Sequence, residues 1–315
     1  MAALDNEQQI KIQIMQAYFN VLLADFQYRI DNEAMAIAYV GLDKAKDRLA
    51  LKRMSDVDYL KIETEYEKVL VKRTRSEFRQ LQTRLALANL MGLPQARPDE
   101  LTLPKLKQFS KRDVGALDLE RLQQQVIDSN ASIQVLKQQI QAGLLEMQSK
   151  QTQSKPTISL DAWAGQLSSY PEVREGRWKI GLLMDMPLYD GGAIEAEVNQ
   201  AKAKNLQLDA QIKIKEQALR DEVADIYFQL KMLKSEKSQN QKFGDYSDLY
   251  LDYSRALYEN ESATDLGDAM VRLSQANYNQ ISWQFKQALL WSKLDLLMAK
   301  PIQVAGTVQQ SETAK

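Results

Sequence analysis

Two short segments of the chain alternate between apolar and more polar residues. The apolar side chains take every second position, at Ile158, Leu160, Ala162 and Ala164 in the first segment and at Trp178, Ile180, Leu182, Met184 and Met186 in the second. A period of two is typical of a β-strand with one apolar face. Each segment has about the 10 residues that a tilted membrane strand requires. The pattern therefore predicts a hairpin of strands at 156–167 and 177–187.

Most of the remaining chain follows a helical period. Apart from Gly244, residues 193–258 contain neither glycine nor proline, which predicts one helix over 191–258, on the order of 100 Å long. A second helix is predicted near 115–154. Both helices carry apolar or small residues at steps of three, four or seven, which favours long helices packed side by side. These positions are Leu119, Leu122, Val126, Ser129, Ile133, Leu136, Ile140, Gly143 and Met147, and Ala201, Leu208, Ile212, Leu219, Ile226, Leu230 and Leu233.

The chain also resembles itself. An offset of 207 residues pairs Phe78 with Phe285 and Pro94 with Pro301. We interpret this as two copies of one unit. The first copy, at 1–92, is incomplete and consists of a long helix, a tip and a return helix. A connector at 93–114 leads to a complete copy at 115–300, and a flexible tail follows at 301–315.

Composition narrows the possible chemistry. The 315 residues include no cysteine and no histidine and carry a net charge of −1. The usual zinc ligands, a cysteine nucleophile and a histidine base are therefore missing, and nothing selects for nucleic acid. Acidic pairs such as Asp56 and Asp58 lie on polar helical segments. We predict no enzymatic activity, no metal and no cofactor.

Three motifs carry a family resemblance. The strands are joined to the long helix by Pro187, Leu188, Tyr189, Asp190, Gly191 and Gly192; the tips hold Ser-x-x-Asp at Ser55 and Asp58 and again at Ser262 and Asp265; and a helix ends in Leu90-Met91-Gly92-Leu93-Pro94. With the order of elements, these motifs resemble the TolC family of outer-membrane efflux and secretion channels over residues 5–300. Where the family has a tip glycine, this chain has Lys52 and Glu259.

The resemblance implies a mainly α fold with a membrane β-hairpin, in which long helices form an α-barrel and the strands join an outer-membrane β-barrel. It implies a homotrimer in the bacterial outer membrane with helices projecting into the periplasm. It also implies a passive duct for efflux or type I secretion, whose partners are a periplasmic adaptor and an inner-membrane pump. Family members are expected to supply four strands per subunit and this chain supplies two, so we expect it to be truncated at its N-terminus.

The resemblance also assigns roles to residues near the tips. Asp265 and Asp268 are predicted to form a carboxylate ring at the tunnel entrance, although an ordinary helix start explains them equally well. Arg48, Arg255 and Tyr258 are candidates for a latch that holds the gate closed. Adaptor contact is assigned to Lys52, Ser55, Asp58, Glu259, Glu261 and Ser262, with N-capping serines and a polar loop as the structural alternative.

Two other interpretations remain open from the sequence. The chain could be a soluble periplasmic coiled-coil adaptor or scaffold, whose long helical hairpins bind a partner without forming a pore. It could also be a non-functional fragment of a channel protein.

Overall fold

A computed structural model of the chain describes residues 2–96, 100–164, 178–260 and 266–301. Within these ranges the protein is mainly α-helical. The elements in chain order are α1 (Ala2–Ala50), α2 (Asp56–Leu90), the short α3 (Lys107–Ser110), a 3-10 turn (Val114–Ala116), α4 (Leu119–Ser129), α5 (Ala131–Thr152), β1 (Thr157–Ala164), β2 (Trp178–Asp185), α6 (Ala193–Glu259) and α7 (Leu266–Leu297).

The chain divides into two compact bodies. The first body comprises residues 1–126 and 221–315, and the second comprises residues 127–220. We describe each by itself.

In the first body, α1 packs against both α2 and α7. The rings of Phe19 on α1 and Phe285 on α7 stack with their centroids 4.1 Å apart and only 7° between their planes. A hydrogen bond joins α7 to α6. The indole Nε1 of Trp283 on α7 donates to the carbonyl oxygen of Leu233 on α6 at 2.7 Å. The contacts therefore run in the order α2, α1, α7, α6.

Two bidentate ion pairs fix this arrangement. Arg84 on α2 binds the carboxylate of Asp25 on α1 at 2.8 and 3.0 Å, and both side chains are mostly buried. Arg112 in the connector binds Asp295 on α7 at 2.6 and 2.8 Å, with its guanidinium 4.0 Å from the centre of the Trp291 ring. Paired guanidinium and carboxylate groups offset each other's cost of burial, so the connector is held against α7.

The second body contains α5, the hairpin and the first part of α6. Gly143 on α5 allows a close approach to α6, because a Cβ placed on it would lie 2.9 Å from Cγ of Asn205. Lys150 and Glu197 form an ion pair of 2.7 Å between the same two helices. Small residues at such positions let two helices lie close together.

The helix predicted near 115–154 is two helices. Asn130 separates α4 from α5, and its side-chain oxygen accepts a hydrogen bond of 3.1 Å from the backbone N–H of Ile133. An asparagine that caps the following helix competes with the helical ladder at its own position. The predicted stripe runs from Leu119 to Met147 without interruption across this boundary, so it did not reveal the break between the two helices.

The other predicted boundaries differ from the structure by a few residues. The long helix is Ala193–Glu259 rather than 191–258, and the strands are Thr157–Ala164 and Trp178–Asp185. Residues 165–167 and 177 of the predicted strands, and 302–315 of the predicted tail, lie outside the described residues. The stripe predicted on the long helix is buried at Ala201, Ile212, Leu219, Ile226, Leu230 and Leu233, and Leu208 is half-buried.

Helices α2 and α7 end in the same way. Gly92 and Ala299 have φ angles of +71° and +54°. In each case the next residue donates a backbone hydrogen bond to the carbonyl five residues earlier, from Leu93 to Ala88 and from Lys300 to Asp295. This is a Schellman motif, at positions related by the 207-residue offset.

Candidate functional site

The first tip is the turn from α1 to α2. Lys52 occupies the left-handed region with a φ of +56°, where glycine would be unstrained. The backbone N–H of Arg53 donates to the carbonyl of Arg48 at 2.8 Å, and that of Lys52 donates to Leu49 at 2.9 Å. The tip therefore turns through a Schellman motif without the glycine of the TolC family pattern, and Arg48 supplies a backbone acceptor as well as a positive charge at the end of α1.

Helix α2 begins with the N-cap predicted for Ser55. The Ser55 hydroxyl accepts a hydrogen bond of 3.1 Å from the backbone N–H of Asp58 and donates one of 2.7 Å to the Asp58 carboxylate. Asp56 and Asp58 both lie in the first turn, where negative charge is favoured by the helix dipole. This local role accounts for Ser55 and Asp58 structurally, and an adaptor contact stays a prediction.

The second tip is described only at its borders. Helix α6 ends at Glu259 and α7 begins at Leu266. Glu261, Ser262 and Asp265 lie outside the described residues. Of the predicted pair of gate carboxylates, the structure therefore places only Asp268, in the first turn of α7.

Asp268 is engaged in an ion pair. Its carboxylate accepts a hydrogen bond of 2.6 Å from Nε of Arg272, one turn further along α7. That hydrogen bond and the negative charge of Asp268 raise the pKa of Arg272 above its ordinary value. Both side chains are nearly half exposed, and pairs of this kind typically contribute about 0–1 kcal/mol.

Arg272 also connects α7 to α6. Its guanidinium carbon lies 5.5 Å from the centre of the Tyr250 ring on α6, within the range of a cation–π contact. Tyr250 stacks on Tyr246 at 5.8 Å with an interplanar angle of 12°. We call Tyr246, Tyr250, Asp268 and Arg272 the α6–α7 latch, because they join the two helices next to the second tip.

The residues that the sequence analysis predicted for a latch, Arg255 and Tyr258 among them, are not members of this set. Arg255 lies 3.9 Å from Asp252 on its own helix, and Tyr258 is largely exposed. The helix-to-helix contact that the structure shows in this region uses Arg272 and Tyr250, which the sequence analysis missed. The four-residue spacing of Asp268 and Arg272 is a sequence signal for an ion pair on one helix.

In the second body, the junction from β2 to α6 explains the Pro-Leu-Tyr-Asp-Gly-Gly motif. Gly191 and Gly192 have φ angles of +64° and +83°, a conformation that favours glycine. The Asp190 carboxylate accepts backbone hydrogen bonds of 2.8 Å from Ile194 and 3.0 Å from Gly192. These bonds lower the pKa of Asp190. The side chains of Leu188 and Tyr189 are almost fully exposed, and Pro187 lies two residues after the end of β2.

The hairpin has one apolar face, as its alternation predicts. The antiparallel register pairs Ile158 with Met184 and Leu160 with Leu182, so these side chains share a face. Leu160 and Leu182 are 70% and 75% exposed. An apolar face with this exposure in a two-stranded sheet requires a cover of lipid or protein.

Two further apolar surfaces lie on helices of the first body. We call Val57, Leu60, Val71, Phe78, Leu81 and Leu85 the α2 stripe and Phe228, Met232, Tyr246, Leu249 and Tyr253 the α6 stripe; every member is about half exposed or more. Both sets are spaced by three or four residues or by sums of these steps, which keeps each set on one face of its helix. Val71 and Phe78 also border a groove of about 1130 Å³ beside α1 and α7.

No helix in the described part of the chain is sufficiently long and apolar to cross a membrane.

The profile of the outer membrane efflux protein family matches residues 122–299. This match spans more than half of the 315 residues, and the chain belongs to that family, which is one of channel proteins rather than enzymes. No curated protein sequence matches the chain.

Solved structures with the same fold include three bacterial membrane proteins. A membrane protein from Pseudomonas aeruginosa aligns with a TM-score of 0.68 and 18% identity over 94% of this chain and 69% of its own. The outer membrane protein VceC from Vibrio cholerae gives 0.65 and 17% over 94% and 71%. The CmeC outer membrane channel of Campylobacter jejuni gives 0.69 and 15% over 93% and 63%. At these identities the likeness concerns the fold, which is that of the TolC-like channels.

Proposed function

We propose that this chain is a subunit of a homotrimeric export channel in the bacterial outer membrane. In this proposal α1, α2, α6 and α7 form one third of a helical barrel in the periplasm, and the hairpin joins a membrane β-barrel. The duct is passive and serves a tripartite efflux or type I secretion system with a periplasmic adaptor and an inner-membrane pump. Membership of the outer membrane efflux protein family supports it.

The observation that supports assembly into a ring is the pair of exposed stripes. The α2 stripe and the α6 stripe lie on the two outer members of the contact order α2, α1, α7, α6. Two different surfaces that complement each other make a head-to-tail contact, and such contacts close into a ring when the rotation allows. The α6 stripe of one copy is the occupant that we assign to the α2 stripe and its groove on the next.

The hairpin supports the membrane location. An isolated two-stranded sheet is marginally stable in water, and Ile158, Leu160, Ile180, Leu182 and Met184 expose its apolar face. Lipid on that face, with strands of neighbouring copies at the edges, satisfies both the side chains and the backbone.

We assign gating to the α6–α7 latch together with the predicted carboxylate ring of Asp265 and Asp268. Opening requires α6 and α7 to separate near the second tip, and the Arg272 to Tyr250 contact opposes that movement. Lys52, Ser55, Asp58, Glu259, Glu261 and Ser262 stay our candidates for the adaptor contact. The basic first tip and the acidic border of the second would then meet opposite charges on the adaptor.

The two-copy organisation is also a proposal, in which α1 with α2 and α6 with α7 are equivalent hairpins. The matching Schellman motifs at Gly92 and Ala299 support it.

Conductance across planar lipid bilayers tests both the channel and the latch. The parent chain is expected to give discrete single-channel currents with a low open probability. Arg272→Gln removes the charge from the latch and should raise the open probability. Lys68→Gln is the matched control, because Lys68 forms an exposed ion pair of 2.6 Å with Glu65 within one helix. Absence of currents from the parent would contradict the channel, and equal open probabilities would contradict the latch alone.

A further inference from the structure

A polar cleft lies in the first body, between the connector, α6 and α7. Its volume is about 570 Å³, within the range of small-molecule sites and large enough for one or two sugar rings. The α2 stripe, the α6 stripe and the α6–α7 latch contribute no residue to it. The channel function proposed above therefore leaves the cleft unexplained.

Gly244 forms part of the cleft wall from within α6. Glycine is the least favourable residue in a helix interior after proline, and residues 193–259 contain no other glycine. A Cβ placed on Gly244 would have no neighbouring atom within 4 Å, so close packing does not explain the glycine. What its missing side chain provides is space in the cleft.

Carboxamide side chains contribute to the lining of the cleft. Six of them face it, and no hydrogen bond among the described residues engages their side chains: Asn240, Gln241, Asn277, Gln280, Gln284 and Gln287. Each carboxamide offers both a donor and an acceptor. Such a lining matches a ligand that carries many hydroxyl and acetamido groups.

One aromatic ring contributes to the lining. Trp283 is half-buried, and its Nε1 donates 2.7 Å to the Leu233 carbonyl, which fixes the orientation of the ring. The amine of Lys237 lies 5.9 Å from the ring centre. A fixed indole next to polar side chains provides an apolar surface for the C–H faces of a sugar.

The cleft is lined by both positively and negatively charged side chains. The positive charges are those of Lys105 and Lys107 in the connector and Lys237 on α6. The negative charges are those of Asp245 and Asp248, further along α6. Lys237 and Asp248 are about 16 Å apart along the helix axis. The lysines match a carboxylate, and the aspartates accept hydrogen bonds from hydroxyl groups while disfavouring a densely charged polyanion.

We propose that this cleft binds an acidic, N-acetylated sugar unit of a glycan. The carboxylate of the sugar pairs with the lysines, its acetamido and hydroxyl groups bond to the carboxamides, and one ring face packs on Trp283. The subunit would thereby be anchored to an acidic glycan. Binding is a property of the folded subunit and does not require conductance.

Isothermal titration calorimetry on the purified full chain tests the proposal. The probe is the disaccharide N-acetylglucosaminyl-N-acetylmuramic acid, and N,N′-diacetylchitobiose is its neutral counterpart. We expect the acidic disaccharide to bind with a Kd of about 1 mM or tighter and the neutral one about fivefold more weakly, the factor typical of an exposed ion pair.

Two glycine variants distinguish a filled cleft from a general effect of replacing a helical glycine. Gly244→Leu fills the cleft and should abolish binding. Gly41→Leu is the matched control, because Gly41 also lies within a helix with open space at its Cβ position and is outside the cleft; it should bind like the parent. Circular dichroism confirms that both variants fold.

Lys107→Gln tests the charge and should remove most of the preference for the acidic disaccharide. Binding that survives Gly244→Leu would refute the site. Equal binding of both disaccharides by the parent would refute the acidic class, and no saturable heat with either would refute the proposal as a whole.

Discussion

Replacing Phe78 with alanine is expected to weaken association between subunits while each subunit stays folded. The Phe78 side chain is 60% exposed in the single chain. A phenylalanine offers roughly 200 Å², so about 120 Å² remains for a neighbouring copy to cover. At about 25 cal/mol per Å², this is about 3 kcal/mol for each contact. Alanine would retain a fraction of it, and a loss of about 2 kcal/mol raises the dissociation constant of each contact about 30-fold.

Mass photometry across a dilution series in detergent measures this change directly. A pair of valine variants provides the positional control. Val71 on the α2 stripe and Val40 on α1 are 55% and 51% exposed, so Val71→Ala and Val40→Ala remove the same two methyl groups from equally exposed sites. We expect only Val71→Ala to shift dissociation to higher concentration, by about 0.5–1 kcal/mol per contact.

The reasoning would be refuted if Phe78→Ala dissociated at the same concentration as the parent. It would also be refuted if the two valine variants were indistinguishable, because the stripe would then be an ordinary exposed surface.

Three further predictions concern local structure. Gly143→Val should lower Tm by several degrees, since its added Cβ would lie 2.9 Å from Cγ of Asn205, and Asn205→Ala should restore most of the loss. Lys52→Gly should raise the free energy of unfolding by about 1 kcal/mol, measured in urea, because it relieves a left-handed lysine. Hydrogen bonds from Ile194 and Gly192 lower the pKa of Asp190 from 3.8, so its stabilisation is present above that value and is lost as pH falls through the lower folded pKa; the Tm difference between parent and Asp190→Ala should therefore shrink from about pH 6 to pH 2.

Each of these has a control or a contradicting outcome. Lys46→Gly places glycine within α1 and should lower stability by about 1 kcal/mol, so a gain at both lysines would refute the φ argument for Lys52. Failure of Asn205→Ala to restore Gly143→Val would place the clash elsewhere. A Tm difference for Asp190→Ala that is constant with pH would show that the carboxylate does not cap α6.

The mainly helical fold could be predicted because its signals are local and periodic. In each strand the apolar residues take every second position, which places Leu160 and Leu182 on the apolar faces of their strands. The register pairs the two residues and confirms that they share one face. The stripe from Ala201 to Leu233 is buried because helical spacing repeats over many turns. Gly191 and Gly192 were identifiable because few other residues adopt their φ angles.

What the sequence analysis missed depends on single side chains or on distant partners. Asn130 caps the start of α5 by accepting one hydrogen bond from a backbone N–H, which an apolar pattern does not record. Arg272 lies near Tyr250 only because α6 and α7 pack in a particular register. Lys52 turns the first tip although its residue type disfavours that conformation, since the hydrogen bonds of the Schellman motif hold it there.

The central claim is that copies of this chain assemble as a ring of three in the outer membrane. Native mass spectrometry of the protein extracted from isolated outer membranes tests it most directly. The proposal predicts a complex of three copies and its loss in Phe78→Ala. A protein recovered from the soluble periplasmic fraction as a single copy would contradict the claim and favour the coiled-coil adaptor or scaffold.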